Sequence, residues 1–598
     1  MLTKLSVAGI KHRFKDYLVL LTGLIISSAV FYMFTNLATN KTFIKANTSI
    51  GMAAQVFVFG MVLLALITVV YISYANSFLL SMREHDYGLF MMLGAKKDRI
   101  GQLVFIETLL VGVLSTVIGI VLGMGMSIGL SSILFNQLGI TVHHFSAIYG
   151  PAILTTLVLY VGLFLLSGLF NLTKLVRTPV LKLLHTDDEA YTPKRHPVIQ
   201  TIEIVAGIVL LAVGYWAMSR IVSLQLLGVG LALVTITVGS YLLFNAVVIS
   251  AIGFLKRTRF ANQKLHNFTL AQIRFRVQGY TRILTIVSLL FALALGAISV
   301  GAGLQRQVPQ MAKSTSAYTL AINDENAQEK SLIKKIKTSY AATYNQKMVG
   351  KVVYYDEQQF ANQPLPLLKS RAPKNDGSVK ALSLAKFKQV APQDMDFIGL
   401  SPIYGSASAF ATSTRFSQLH GQKHSVTVIR AQDMFGQRRL IERLHKLQVA
   451  RFPVPETAAI GGYQTYKLFA TLFGGLEFMG FFLGFAFLAM LASCLMFKIL
   501  SGTRKDVVRY NMLNKIGASR QNMKSAVRGE VLTLFILPGV LGIVDVLFGL
   551  QMFKPLMYHP YAATGWSILI FCALYAVYYI VTILIYERIV VPKEQLEG

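Results

Sequence analysis

The sequence predicts an α-helical polytopic membrane protein. It has ten transmembrane helices, a basic unit used twice, and one extracellular α+β domain between helices seven and eight. Three observations carry this. Of 598 residues, 54% are hydrophobic and 14% charged, against about 25% charged in soluble domains. The apolar residues gather into runs of the roughly 20 residues that cross a bilayer. A Gly-Ala pair with a fixed Tyr before it and a fixed Glu after it occurs twice, far apart.

The ten runs lie at about 17–35, 53–76, 103–131, 149–172, 200–219, 224–254, 283–304, 465–497, 529–551 and 566–586. The first follows a basic stretch, as a secretory signal would. It is long, lacks an A-x-A site and completes an even helix count, so it reads as an uncleaved anchor. The formal net charge is +30, and its distribution reports topology. The segments 1–16, 81–102, 173–198, 255–282, 498–528 and 587–598 hold 30 of the 57 Lys and Arg, whereas the short loops of the other side hold Lys41, Lys45, Arg220 and Lys554. The positive-inside rule then puts both termini in the cytoplasm of a multi-pass plasma-membrane protein. No folded basic module accompanies the charge, so nucleic acid is not an expected partner.

One connection is long. Residues 305–464 are too polar to span and patterned enough to fold. Ser316–Ile322, Val349–Tyr355 and Ser425–Arg430 read as strands. Glu329–Tyr344 and Gln432–Leu447 read as amphipathic helices, and 361–415 as loop-heavy. This domain holds 22 Lys and Arg against 11 Asp and Glu, which suits anionic headgroups or an anionic ligand. The eighth run, about 33 residues, is longer than a bilayer needs and reads as a stalk beneath the domain.

The repeat supplies the candidate site. Tyr87, Gly94-Ala95, Glu107 and Gly119 recur at identical spacing as Tyr510, Gly517-Ala518, Glu530 and Gly542. Such self-similarity means one structural unit used twice. Each copy is basic, through Arg83 and Arg99 in the first and Arg520 in the second. Each places apolar anchors beside its Gly-Ala (Leu89, Met92, Leu93; Met512, Leu513, Ile516) where a groove on a soluble partner can take them. Glu107 and Glu530 are expected to start the third and ninth helices, where the helix dipole favours a carboxylate, with Arg99 or Arg528 as partner. Glu477 and Asp545 fall deeper in their runs. A carboxylate there is costly, and Glu477 is a candidate for gating. Gly119, Gly123 and Gly125 suit close helix packing.

The chain has no G-x-x-x-x-G-K-[ST] loop, no H-E-x-x-H, no G-x-S-x-G and no Cys/His ligand cluster, the signatures that would announce nucleotide binding or hydrolysis. His143-His144 reads as surface. Cys494 and Cys572 sit at different depths in their runs and form no disulfide framework. No enzyme chemistry, cofactor or metal site is expected of the chain itself.

The repeated R-x-x-D/E…L-x-x-x-G-A…E…G pattern resembles the FtsX-like permease domain of ABC transporters. It occurs at about 54–175 and 465–590. A single outer domain between helices seven and eight, with only a short loop after helix one, is similar to the bacitracin-export (Bce) type permease of Gram-positive bacteria, over essentially the whole chain. The division this implies is 1–52, an anchor helix and outer loop; 53–175, the first permease domain; 176–304, helices five to seven; 305–464, the extracellular domain; and 465–598, the second permease domain and tail. The second copy departs from the pattern, with Asp506 where the first has Arg83, Val546 in place of Gly123, and Pro538-Gly539 interrupting its helix.

The resemblance implies a homodimeric ABC ATPase, carrying the ATP and Mg, docked on the two basic segments. It implies a function in resistance to peptide antibiotics that act on lipid pyrophosphate targets, by release or export, and signalling to a membrane histidine kinase. The competing reading is a non-transporting subunit that regulates a sensor kinase or wall hydrolase through the extracellular domain. A secondary transporter would need paired interrupted helices at the midplane, and no such pair is visible.

Overall fold

The computed structural model describes residues 14–40, 48–138, 146–180, 197–256, 258, 266–370, 376–402, 406–453 and 461–592. His143 and His144 lie outside the described residues. The elements in chain order begin with α1 (Phe14–Thr39), α2 (Thr48–Met92), α3 (Lys97–Leu138), α4 (Gly150–Arg177), α5 (Pro197–Ser219) and α6 (Ile221–Leu242). A π-helical turn, Leu243–Val247, leads into α7 (Val248–Leu255), and α8 follows (His266–Thr315). Then come β1 (Leu320–Asn323), α9 (Ala327–Ile333), β2 (Thr338–Val349), β3 (Val352–Asp356), α10 (Glu357–Asn362), β4 (Leu367–Leu368) and β5 (Val379–Lys380). After them stand α11 (Leu384–Val390), α12 (Met395–Ile398), β6 (Ala407–Ala411), α13 (Ser413–Gln418), β7 (Gln422–Ala431) and α14 (Arg438–Arg451). The chain closes with α15 (Gly461–Ser501), α16 (Thr503–Lys515), α17 (Arg520–Gly549) and α18 (Thr564–Val590).

Ten helices among the described residues are long and apolar enough to cross a membrane, as the ten runs predict. They belong to a helical unit made of α1, residues 54–303 and residues from 477 onward; residues 304–476 form a second, sheet-bearing unit. Within the helical unit α1 is largely enclosed by its neighbours, whereas α5 and α6 leave most of their apolar surface outward. A hydrocarbon environment offers no water to a polar group, so the polar side chains of the spans pair internally. The Ser27 hydroxyl meets Thr68 at 2.8 Å and Tyr160 at 2.6 Å, joining α1, α2 and α4. Tyr71 and Ser493 meet at 2.9 Å and join α2 to α15.

Small residues let α1 and α3 approach. A Cβ on Gly123 would stand 2.6 Å from the Ala29 carbonyl oxygen, and one on Gly119 would overlap the Ser28 hydroxyl. Gly125 faces open space and takes no part in the contact. The expected result is that Gly123→Ala lowers the thermal midpoint of the purified protein by the equivalent of about 1–3 kcal/mol, the usual cost of overpacking. Gly125→Ala leaves the midpoint unchanged in the same thermal scan.

Two sequence expectations change here. Pro538 lies inside α17, which continues unbroken to Gly549; the Tyr575 hydroxyl donates to the Phe535 carbonyl at 3.0 Å, in the turn the proline disturbs. Proline frees the carbonyl four residues back, that of Leu534, and membrane helices tolerate this where neighbouring groups support the turn. In the sheet-bearing unit the predicted helix Glu329–Tyr344 ends at Ile333 and residues from Thr338 form β2. Tyr340, Ala342 and Tyr344 alternate with exposed Ser339, Ala341 and Thr343, the period of a half-buried strand.

The sheet runs β1-β7-β2-β3-β6, antiparallel except for the parallel β3–β6 pair. Its two faces have separate cores. Val426 and Val428 of β7 join Tyr344, Tyr355, Phe360 and Phe397 on one side. Ile429 joins Leu320, Ile322, Leu332, Ile441 and Leu444 on the other. The segment 361–415, expected to be loop-heavy, carries α11, α12, β6 and six of the fourteen buried residues of the first core.

Candidate functional site: two matched helix-end segments

The Gly-Ala pair of each copy ends a helix in one specific way. Gly94 has φ +96 and Gly517 has φ +89, the left-handed region that glycine enters without a Cβ penalty. The Gly94 amide donates to the Met91 carbonyl at 3.1 Å and the Ala95 amide to the Phe90 carbonyl at 3.0 Å. Gly517 and Ala518 donate likewise to Asn514 and Leu513, each at 3.0 Å. This pairing is the Schellman stop, which satisfies carbonyls at a helix end and reverses the chain. Ala95 packs into a small core with Tyr87, Leu103, Val104 and Leu175. The next helix starts at once, at Lys97 in the first copy and Arg520 in the second. The Ser519 hydroxyl caps the latter by accepting from the Asn522 amide at 3.3 Å.

Each stop leaves a bare apolar tip. Leu89, Met92 and Leu93 are exposed, Leu93 by 79%, as are Met512 and Ile516, the latter by 83%. Arg99 and Arg520 are also exposed beside their tips. Leu513 is half-buried and is a weaker anchor than the sequence suggests. The two copies differ in approach. In the first, α2 runs unbroken from Thr48 to Met92. In the second, the chain breaks at Gly502 and the separate α16 carries the segment.

Behind the tips the two glutamates are buried. Both stand ten residues into their helices, not at the start, so the dipole, which acts within the first turn, is not what holds them. Their partners also differ from the expectation. Glu107 pairs with Arg83 and accepts from the Tyr87 hydroxyl at 3.1 Å. The Arg83 guanidinium lies 5.1 Å from the centre of the Tyr87 ring. Glu530 pairs with Arg276 of α8. Arg99 is eight residues from Glu107, about 12 Å along a helix. Arg528 is two residues from Glu530, a spacing that faces another side; it pairs with Glu587 at 2.6 Å.

Among the described residues the second cluster is the larger. Asp506, at the repeat position of Arg83, accepts from Arg276 at 2.7 Å, from the Tyr586 hydroxyl at 2.6 Å and from Arg509 at 3.0 Å. Arg276 and the two carboxylates are buried and neutralise one another as buried charge requires, and Arg509, 31% exposed, completes the charge balance from the edge of the cluster. Burial opposes the Arg276 charge, but Glu530, Asp506 and the phenols Tyr280 and Tyr586 outweigh it and hold its pKa above the ordinary arginine value. Tyr510 does not repeat the bond of Tyr87. It packs edge-on against Phe268 of α8, ring centres 6.0 Å apart. Burial, reinforced by the Glu530 carboxylate, pushes its phenol well above the usual range.

Sequence reasoning missed Arg276. A signal was present: Ala271, Ile273, Arg274, Arg276 and Tyr280 repeat the spacing of Ala8, Ile10, Lys11, Arg13 and Tyr17. That match extends the repeat to the helix preceding each pair, α1 in the first half and α8 in the second. The packing agrees, since Gly119 abuts Ser28 of α1 and Gly542 abuts Phe291 of α8. Arg13 lies outside the described residues. Of the deeper acids, Glu477 is half-buried within α15. Asp545 is buried and accepts from the Tyr215 hydroxyl of α5 at 2.6 Å.

Residues 57–180, which enclose the first tip and its buried pair, match the family described as the FtsX-like permease C-terminal domain. That stretch of the chain is similar to FtsX-like permeases. The chain is 22% identical to the bacitracin export permease protein BceB of Halalkalibacterium halodurans, across 98% of this chain and 99% of that one. It is 20% identical to the BceB of Bacillus subtilis over the same shares. An uncharacterized ABC transporter permease of Bacillus subtilis, YvcS, is 22% identical over 51% of this chain and 47% of its own. The chain is therefore a multi-pass membrane protein whose full-length relatives are named bacitracin export permeases.

Proposed function

We propose that the chain is the membrane subunit of an ABC transporter and that a separate homodimeric ATPase, carrying ATP and Mg, docks on its two exposed tips. The observation that carries this is the pair of matched Schellman stops, each presenting apolar and basic side chains where one helix ends and a long helix begins. A soluble two-fold partner requires two such matched surfaces. The excess of Lys and Arg supports a cytoplasmic position for the tips and both termini. The sheet-bearing unit then faces outward. In this reading the complex confers resistance to cell-wall-active peptide antibiotics, bacitracin among them, by releasing the peptide from its lipid pyrophosphate or exporting it. It also signals to a membrane histidine kinase. The relation to bacitracin export permeases over the whole chain supports the substrate class.

Deletion of the gene tests the reading. The expected result is bacitracin sensitivity raised roughly tenfold or more, within the usual span of coupled systems, and restored by the intact gene. Unaltered sensitivity across a panel of wall-active peptides, with a kinase reporter silenced, would replace transport by a purely regulatory role.

A further inference from the structure

Within the sheet-bearing unit, one face of the sheet carries α9 and α14 and the other carries α11. Leu332 of α9 and Ile336 just beyond it share a core with Ile441 and Leu444 of α14, whereas Phe387 of α11 belongs to the opposite core. The outer side of the α9–α14 pair is basic. The run Lys334-Lys335-Ile336-Lys337 follows α9 and its three lysines are exposed, as are Arg439 and Arg443, one turn apart on α14. Two bonds bring the run to the start of α14. The Lys337 amide donates to the Gln437 side-chain oxygen at 2.6 Å, and the Gln437 side-chain amide donates to the Lys337 carbonyl at 3.2 Å.

This surface lacks counter-charge. α9 and α14 contain one carboxylate each, and both are engaged: Glu329 with Arg451 at 2.7 Å and Glu442 with Lys446 at 2.9 Å. The bond from Lys446 holds the Glu442 carboxyl below the usual carboxylate range against the opposing effect of partial burial, and the charges of Lys446, Arg438 and Lys467 add to it. α14 also opens on Arg438-Arg439, with no acid in its first turn and no side-chain cap, the reverse of what the positive end of a helix favours. A local rule broken without a gain in packing points to function.

The chemistry of the face selects its partner. Protein interfaces centre on apolar and aromatic residues and are poor in lysine; no large apolar side chain of α9, of 334–337 or of α14 is among the exposed ones. A helix that lies on a bilayer buries an apolar face in it, but here the apolar face is already in the core. Nucleic acid strands stack on aromatic rings, and these segments contain no Phe, Tyr or Trp. A flexible chain of repeated phosphates needs only spaced cations.

We propose that residues 334–337 and the exposed side of α14 bind a linear phosphodiester polymer with a polyol backbone, through phosphate contacts of Lys334, Lys335, Lys337, Arg439 and Arg443. The site is separate from the two tips and does not depend on the ATPase docking reading.

The test reads each lysine separately, because the chain is basic elsewhere too. The purified full chain in neutral detergent is acetylated with and without poly(glycerol phosphate), and modification rates are followed by mass spectrometry. Lys334, Lys335 and Lys337 are expected to be slowed roughly tenfold at saturation. Lys380, Lys386 and Lys423, exposed outside the α9–α14 pair, are expected to keep their rates. Five contacts at about 0.7 each predict that apparent affinity falls roughly 100-fold between about 50 and 200 mM salt. Arg439→Gln/Arg443→Gln is expected to weaken protection of the three lysines roughly tenfold and to lower the salt slope by about 1.4. Equal protection of both lysine sets, absence of protection, or full protection in the double variant overturns the proposal. Phosphatidylglycerol vesicles that protect the three lysines as well as the polymer does, at equal phosphate, overturn the choice of a polymer over a bilayer.

Discussion

Replacing Glu530 with leucine is expected to destabilise the helical unit by about 3–5 kcal/mol, the cost of leaving one partner of a buried ion pair behind. The reason is the position of Arg276. Its side chain and that of Glu530 are 5% and 2% exposed, so the stranded guanidinium cannot reach water. Asp506 remains, but it already serves Arg509 and Tyr586. The measurement is thermal unfolding of the purified chain, followed by size-exclusion of the fluorescently tagged protein. The internal control is Arg528→Ala. That residue also pairs with a glutamate, Glu587, but is 59% exposed, so its loss is expected to cost under about 1 kcal/mol, as for surface pairs generally. Glu107→Leu stands between the two, because Arg83 is 12% exposed and retains the Tyr87 ring. Equal midpoints for Glu530→Leu and wild type would show that the buried cluster does not hold the helices.

The ten spans were legible because each depends on a local property, the length of an apolar run. The two tips were legible as a repeat, since Gly94-Ala95 and Gly517-Ala518 are the conformational requirement of a Schellman stop written directly in the sequence. The glutamate partners were not legible by proximity. Arg276 and Asp506 are 230 positions apart, and only the folded helices bring them together. Arg99 and Arg528, the near neighbours, fail on helix geometry alone. The strand β2 was misread for a related reason. Its alternation of Tyr340, Ala342 and Tyr344 follows a short amphipathic helix, and pairing with the distant β7 settles its conformation. Pro538 was read as an interruption because proline removes a donor; the neighbouring Tyr575 hydroxyl that supports the turn comes from another helix.

In the docking proposed above, Leu93 and Ile516, with their neighbours, are the two contacts of one dimeric ATPase. Exposed apolar side chains of this kind act as anchors when a partner buries them, and loss of an anchor costs about 2 kcal/mol or more. An aspartate in its place adds a charge that the interface would have to desolvate. Met92→Asp/Leu93→Asp in the first tip, or Met512→Asp/Ile516→Asp in the second, is therefore expected to weaken ATPase binding roughly 100-fold, equivalent to about 2.7 kcal/mol. All of these residues are exposed, so the chain itself is expected to fold and accumulate as wild type. The deciding measurement is the amount of ATPase that co-purifies with each variant from detergent-solubilised membranes, at equal levels of folded permease. The expected result is strong loss for either tip alone and no detectable ATPase when both are changed. ATPase recovered at the wild-type ratio from the variant altered in both tips would contradict it.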